Sequence, residues 1–300
     1  MSAVVPLPAA CLKLVAAPMV KQSDLPFRIL VRRHGATLAY TQMYMAHRLV
    51  GDTQYRERHL ADLIKGSDAP LGRPVVVQLG GNDPDIMCAA ARIVEPYCDA
   101  VDVNLGCPQQ HACDGHYGGY LIQARRDWPT VESIVSKLCA ALRIPVHVKM
   151  RLCSTTSMTV ELAVRLARAG ASVIALHARH VSARRRRHGP AELEWVTAIR
   201  EALAVEGCEH TSVLSNGNVR TLADCHANLT KTGAAGVMVG GALLGNPRLF
   251  AGEDDRPWDI AVEYLELCET YADVVHLEAI KQHIKSFFSW DLRWWVGQQL

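Results

Sequence analysis

Eight short apolar runs, rich in β-branched residues, recur along the chain between longer stretches of helical periodicity. They read KLVAAPM (13–19), ATLAYTQM (36–43), PVVVQLG (74–80), AVDVNLG (100–106), PVHVKMRL (145–152), VIALHAR (173–179), VLSNGNV (213–219) and GVMVGGAL (236–243). Runs of this length and make-up fit strands buried on both faces. Between them, DPDIMCAAARIVEPY (83–97), TVESIVSKLCAALR (130–143) and MTVELAVRLARAG (158–170) repeat apolar residues at helical spacing, and Gly170 supplies a stop. Strand alternating with helix eight times predicts an α/β fold, a closed (β/α)8 TIM barrel, with an open doubly wound sheet as the structural alternative. What favours the barrel is that six of the eight runs stay apolar until their C-terminal ends, where Met19, Gln78, Asn104, Lys149, His177 and Asn216 appear. Barrel enzymes carry their chemistry on that face.

At 300 residues, 49% hydrophobic and 21% charged, the chain is an ordinary globular composition with room for a large domain and a small one. A net charge of +2 excludes a wholesale polycation, so any nucleic-acid surface must be local. Ten cysteines show no paired spacing and read as reduced thiols, which points to the cytoplasm and leaves nucleus and organelles open. The opening MSAVVPLPAACLKLVAAPMV lacks a basic leader region and reads as a first strand; no stretch has the length and polarity of a membrane span. After Phe250 the pattern changes: residues 1–250 form the barrel, and 251–300 a linker and two helices. The second carries Lys281, His283, Lys285 and Arg293 among Phe287, Phe288, Trp290, Trp294 and Trp295. Packing accounts for most of those rings, and the basic residues suit a nucleic-acid surface.

Glycines mark the ends of runs seven and eight, in SNGNV (215–219) and VGGALLGNP (239–247). Loops after strands seven and eight are the usual phosphate site of barrels, so Gly217, Gly240 and Gly241 are candidates to hold a phosphate, two tight turns being the plainer reading. Lys149 and His177, with Gln78 able to donate and accept, would grip the edge of a heterocycle and a negative charge. A phosphorylated planar cofactor such as FMN suits that set. The run AVDVNLGCPQQHACDGHYGGYLI (100–122) crowds Cys107, His111, Cys113 and His116 within ten residues. It lacks the second, distant ligand pair of a structural zinc site. Cys107, between a glycine and Pro108 at the strand end, faces the expected ligand as a proton donor or nucleophile, or packs as a small hydrophobe. Cys113 and the histidines read as loop residues, and the glycines as hinges of a lid.

AAPM (16–19), VQLGG (77–81), NLGCPQ (104–109), GHYGGYL (115–121), VKMR (148–151), LHAR (176–179) and SNGNV (215–219) occur in the order of the tRNA-dihydrouridine synthases. The chain resembles that family over nearly its whole length, and within it the eukaryotic branch that acts on D-loop positions 16 and 17. The resemblance implies an FMN barrel with a C-terminal helical tRNA-binding region, reduced by NADPH. It would transfer hydride from reduced FMN to C6 of a uracil base flipped from tRNA, with a proton from Cys107 to C5. It further implies that Pro18, Met19, Gln78, Lys149, His177, Asn216, Gly217, Asn218, Gly240 and Gly241 bind the flavin. Asn104, Arg151, Arg179 and Tyr117 would lie near the base. No membrane, metal or obligatory protein partner is implied. Arg184, Arg185, Arg186 and Arg187 would contact the tRNA backbone. Asp114, where a basic residue is expected, and Gly241, where arginine or glutamate is common, depart from the pattern. So does the arginine run after His180, where threonine is usual, and the helical tail is short. The neighbouring readings are a reductase or dehydrogenase of a free pyrimidine on the same flavin barrel, and an RNA-binding module without turnover.

Overall fold

The structure, a computed structural model, describes residues 4–183, 189–253 and 256–297, with side chains through 288. The arginines at 184–187 and the side chains of Trp290, Arg293, Trp294 and Trp295 lie outside the described residues. Nine strands, all in parallel pairing, form one sheet: β1 (Leu14–Ala16), β2 (Leu38–Tyr40), β3 (Tyr44–Met45), β4 (Val75–Gly80), β5 (Ala100–Leu105), β6 (Val146–Leu152), β7 (Val173–His180), β8 (Ser212–Asn216) and β9 (Gly236–Val239). β1 pairs with both β2 and β9, while β2 skips β3 to pair with β4, so eight strands close a ring. The expected (β/α)8 barrel is therefore what the chain forms, and every run named above contributes one strand of it. β3 is additional: it pairs with β4 alone, at Leu79 and Gly80, beyond the end of β2.

The pleat sorts each strand into two faces. Val15, Leu38, Tyr40, Val76, Ala175, Leu214 and Met238 form one buried cluster. The alternating Val77, Val101, Val103, Val148, Ile174 and Leu176 join the helices in another. The register Asp102↔His147 and Asn104↔Lys149 therefore brings polar side chains into the barrel on adjacent strands. Tyr40 Oη lies 2.8 Å from His147 Nδ1 at that level, and burial takes the imidazole down to about 3, so it is neutral.

Helices follow the strands. Thr221 and Asp224 close a capping box at the start of Leu222–Thr232, which Gly233 ends at φ 64°, and Gly170, at φ 106°, follows Thr156–Arg168. The helix Pro257–Thr270 packs against Leu25–Arg33, and its Ile260, Tyr264 and Leu267 share one buried cluster with Leu25, Phe27 and Leu30. Its apolar face thus belongs to the outer layer of the barrel. All ten cysteines are free thiols, seven of them buried. Among the described residues no helix is long and apolar enough to cross a membrane.

Asp24, just ahead of Leu25–Arg33, ties the tail to the barrel. Tyr264 Oη donates to its Oδ2 at 3.0 Å, and His283 Nε2 lies 2.7 Å from Oδ1. The imidazole is fully buried and stacks on Phe27 at 4.5 Å. Burial raises the proton affinity of Asp24, but His283 and Tyr264 outweigh it and hold the carboxyl below its ordinary value. Its stabilising contribution is present above the ordinary carboxylate range and lost as pH falls through the lowered value. Asp24→Ala should cost about 3 kcal/mol at pH 7 by leaving His283 buried without its partner. Urea unfolding of the two proteins should show that gap shrinking below about pH 4; a gap independent of pH would contradict this account.

Candidate active site

The C-terminal ends of the strands enclose a cavity of about 1030 Å³, at the top of the range for small-molecule sites. Pro18, Met19, Gln78, Asn104, Cys107, Lys149, Arg151, His177, Arg179, Asn216, Gly217, Asn218, Gly240 and Gly241 all line it. Of the residues expected to bind flavin or base or to donate the proton, Tyr117 does not; it is buried behind the loop.

One end of the cavity is built from β8, β9 and the turns that follow. Gly217 has φ 139°, and a Cβ there would sit 2.5 Å from that of Ala191, so both backbone angle and space demand glycine. Asn218, at φ 56°, accepts from Ala191 N at 2.7 Å and donates to Ala191 O at 2.8 Å. Its amide is committed to the loop after β7, so it shapes the wall. Asn216 Nδ2 donates to Met238 O at 2.7 Å, joining β8 to β9. Arg220 also lines this end, and its motif, SNGNV, stops one residue short of it.

The floor is a chain of hydrogen bonds. Gln78 Nε2 donates to Asp102 Oδ2 at 2.7 Å, and Asn104 Nδ2 donates to Gln78 Oε1 at 2.8 Å. Asn104 Oδ1 then accepts the backbone N–H of Cys107 at 2.9 Å and of Gly106 at 3.1 Å. Each amide is oriented by the one before it. Burial pushes Asp102 up to about 7, against the Gln78 bond and the charge of Lys149. Lys149 faces the cavity with no hydrogen bond among the described residues. Burial, then Arg151, takes it down to about 8, with Asp102 opposing. Burial and the charges of Lys149, Arg151 and Arg179 hold His177 well below the ordinary imidazole value, hence neutral.

Cys107 stands where β5 gives way to its loop. Its residue is 9% exposed, and burial raises the thiol above its ordinary value although Gln109 N and Arg151 pull it down. The sulfur is therefore a protonated thiol at neutral pH, which suits a proton donor better than a resting thiolate. Its Sγ lies 3.9 Å from His111 Nε2, on the short helix Gln110–Asp114. Arg151 Nε donates to Gly106 O at 2.9 Å, and its Nη1 reaches His180 O and Ala183 O at 3.2 Å. It thus staples this loop to the one after β7. A Cβ on Gly118 would approach that of Cys107 to 3.0 Å, and one on Gly119 would meet Val181 Cγ2 at 2.8 Å. Close packing demands glycine at 119, and packing together with a left-handed φ of 64° demands it at 118. His116 Nε2 turns aside to Asp127 at 3.2 Å, and Cys113 is exposed. Sequence reading set His111 aside as a loop residue and passed over Asp102 and Arg220. The Cys107 to His111 spacing becomes a contact only when 110–114 coils into a helix.

The family model for dihydrouridine synthase (Dus) matches residues 14–289. A Mus musculus protein named tRNA-dihydrouridine(16/17) synthase [NAD(P)(+)]-like is 36% identical over 286 residues, covering 95% of this chain and 57% of that one. The Schizosaccharomyces pombe tRNA-dihydrouridine(16/17) synthase [NAD(P)(+)] is 37% identical over 283 residues, covering 91% and 68%. The human tRNA-dihydrouridine(20a/20b) synthase [NAD(P)+]-like is 33% identical over 264 residues, covering 86% and 78%. The chain thus spans 57% to 68% of the length of these position-16/17 relatives. Among solved structures, morphinone reductase in complex with tetrahydroNAD aligns with a TM-score of 0.61 at 12% identity over 88% of this chain and 96% of that one. Histamine dehydrogenase from Rhizobium sp. 4-9 aligns at 0.61 and 13% identity over 88% and 50%. Likeness at that level establishes the shared barrel.

A cation that faces the cavity without an acceptor should cost the ligand-free fold stability. Lys149→Met should raise unfolding free energy at pH 7 by at most about 3 kcal/mol, less what water in the cavity screens. Between pH 8 and the ordinary value of 10.5 the folded chain has released this proton while the unfolded chain keeps it, so wild-type stability rises across that window. The difference between the two proteins should therefore close as pH rises; parallel curves would exclude an unpaired buried amine.

Proposed function

The chain belongs to the dihydrouridine synthase family, and on that premise we propose that it reduces uridine to 5,6-dihydrouridine at position 16 or 17 in the D loop of tRNA. FMN would be its bound cofactor and NADPH its reductant. One observation carries the reading: a protonated Cys107 thiol, held at the cavity mouth by Asn104. The curated relatives' names supply the substrate class and the nicotinamide.

The residues present fit a flavin phosphate ester. Gly217 leaves backbone at the phosphate end where a side chain would clash, and elsewhere on the wall Lys149 has no hydrogen bond and Arg179 Nε no partner among the described residues, positive charge that an anionic cofactor would meet. Asn216, Gly217, Gly240, Gly241 and Arg220 would hold the phosphate, with Asn218 pinning their wall. Pro18 and Met19 would flank the ring, and Gln78, Lys149 and neutral His177 its polar edge. Bound and reduced, FMN supplies the hydride that adds to C6 of the base. Asn104 orients the loop so that the Cys107 S–H reaches C5, and the S–H electron pair stays on sulfur as the proton leaves. Arg151 lies beside the sulfur and favours the resulting thiolate. Arg179, whose Nη2 donates to Asn218 Oδ1 at 3.5 Å, lines the cavity where it would meet the uracil or its phosphate. A base must leave its stack to enter a barrel mouth, as base-modifying enzymes require.

Within 251–300, helix Leu277–Gly297 buries His283 and Phe287 and exposes Lys281 and Lys285. We assign that outer face to the tRNA backbone, which makes binding salt-sensitive. Ten free thiols support a reducing compartment such as the cytoplasm.

The purified protein should be yellow with FMN, and in cells lacking the endogenous enzyme it should restore dihydrouridine at position 16 or 17. Cys107→Ala should retain flavin and lose between about 100- and 10,000-fold in rate. Lys149→Met should bind FMN more weakly. A colourless protein, full activity without the thiol, or turnover of free uracil in place of tRNA would overturn the assignment.

A further inference from the structure

We infer that His111 returns a proton to the Cys107 thiolate between turnovers, acting as the relay from solvent to a sulfur that solvent hardly reaches. The inference rests on the proposed reduction, in which Cys107 spends one proton per uridine.

The need follows from burial. Cys107 is a 9% exposed residue on the cavity wall, so while the dihydrouridine product still fills the cavity, water has little access to the thiolate from that side and the proton must come through the protein. The neighbours narrow the donor to one. Arg151 is engaged with three backbone carbonyls, and a guanidinium does not release protons near neutrality. Burial pushes Tyr117 up to about 12, too weak an acid to exchange at useful rates. Asn104 presents no titratable group. His116 points to Asp127, and Asp114 is held by Gln110 Nε2 at 2.8 Å.

His111 differs from all of these. Its Nε2 is 3.9 Å from Sγ, within the reach of a hydrogen bond to sulfur. The ring is braced by Tyr117, with centroids 6.1 Å apart, while the residue is exposed and lines the cavity. An imidazole is also the side chain whose proton affinity lies nearest neutrality, which makes it an efficient shuttle. The step balances: the Nε2–H bond of the imidazolium breaks with its pair left on nitrogen, an S–H bond forms from a thiolate pair, and the neutral imidazole left behind takes up one proton from a solvent acid, hydronium or buffer. No other co-reactant is consumed.

The test separates the first turnover from later ones. In pre-reduced His111→Gln, which keeps size and polarity, the first uridine should be reduced at the wild-type rate because the thiol starts protonated. Steady-state turnover should fall by at least about 10-fold. Imidazole in the buffer should restore turnover to His111→Ala and do nothing for Cys107→Ala. A second readout needs neither flavin nor tRNA: iodoacetamide alkylation of Cys107, located by peptide mass spectrometry. It should slow several-fold in both His111 variants, which lack the Nε2 contact that favours the thiolate, whether or not imidazole is present. Unchanged steady-state turnover, a loss that imidazole does not rescue, or unchanged alkylation would overturn the relay. Wild-type protein that makes no dihydrouridine would instead overturn the reduction, and the turnover role with it. Alkylation would then still report whether His111 and Cys107 exchange a proton.

Discussion

The parallel register of β5 against β6 decides which side chains the barrel encloses. Asp102 opposite His147, and Asn104 opposite Lys149, place two pairs of polar groups inside the ring, beside Tyr40 and Gln78 and above aliphatic side chains such as Val15, Val76, Leu214 and Met238. A slip by one residue would turn Val101 and Val103 inward and push the polar set out among the helices. Inside, each buried polar group needs a partner. Asp102 Oδ2, Gln78 and Asn104 bond one another in series, while Asp102 Oδ1 and His147 Nε2 stay buried without a partner among the described residues, and the last acceptor of the series is spent on the amide of Cys107. The position of the reactive thiol is thus set by strand register, two layers of side chains below it.

Much of this was legible in the sequence, for a physical reason. Strands covered on both faces need continuous apolar runs, and polar residues tolerated within such runs collect where the barrel opens. Hence Gln78, Asn104, Lys149, His177 and Asn216 announce the mouth before any coordinate does. The residues that escaped notice lack that signature. Asp102 sits within an apolar run, and its value depends on the parity of the pleat. β3 is two residues long, too short for periodicity, and it exists because β4 outruns β2. Pro257–Thr270 reads as part of a tail, yet its apolar face covers Leu25–Arg33, a contact between distant parts of the chain that no local pattern encodes. The glycines at 118 and 119 look like flexibility in one dimension and are close packing in three.

The electrostatics of the cavity are arranged for a guest. Lys149 and Arg179 bring positive charge to its walls with little protein acceptor to meet it, while His177 stays neutral beside them. Such a wall is unfavourable to an empty fold and favourable to a bound anion, the usual exchange of stability for function at a site. Asp102 sits low among these charges, and burial holds it near the midpoint of its titration at neutral pH. It moderates the charge of Lys149 without neutralising it.

Cys107 is held in two ways that differ in kind. From below, the series ending at Asn104 contributes geometry: hydrogen bonds of 2.7 to 2.9 Å from Asp102 through Gln78 and Asn104 orient the loop. From the side, Arg151 contributes charge as well as reach, because the guanidinium that bridges Gly106, His180 and Ala183 also favours the thiolate. Burial acts in the opposite sense and keeps the thiol protonated at rest. A proton donor requires that balance, since a thiolate has nothing to give and an unassisted buried thiol gives its proton reluctantly. Because the same arginine spans both loops, one side chain contributes both to the acidity of Cys107 and to the closure of the cavity wall after β7, and moving it would disturb the two together.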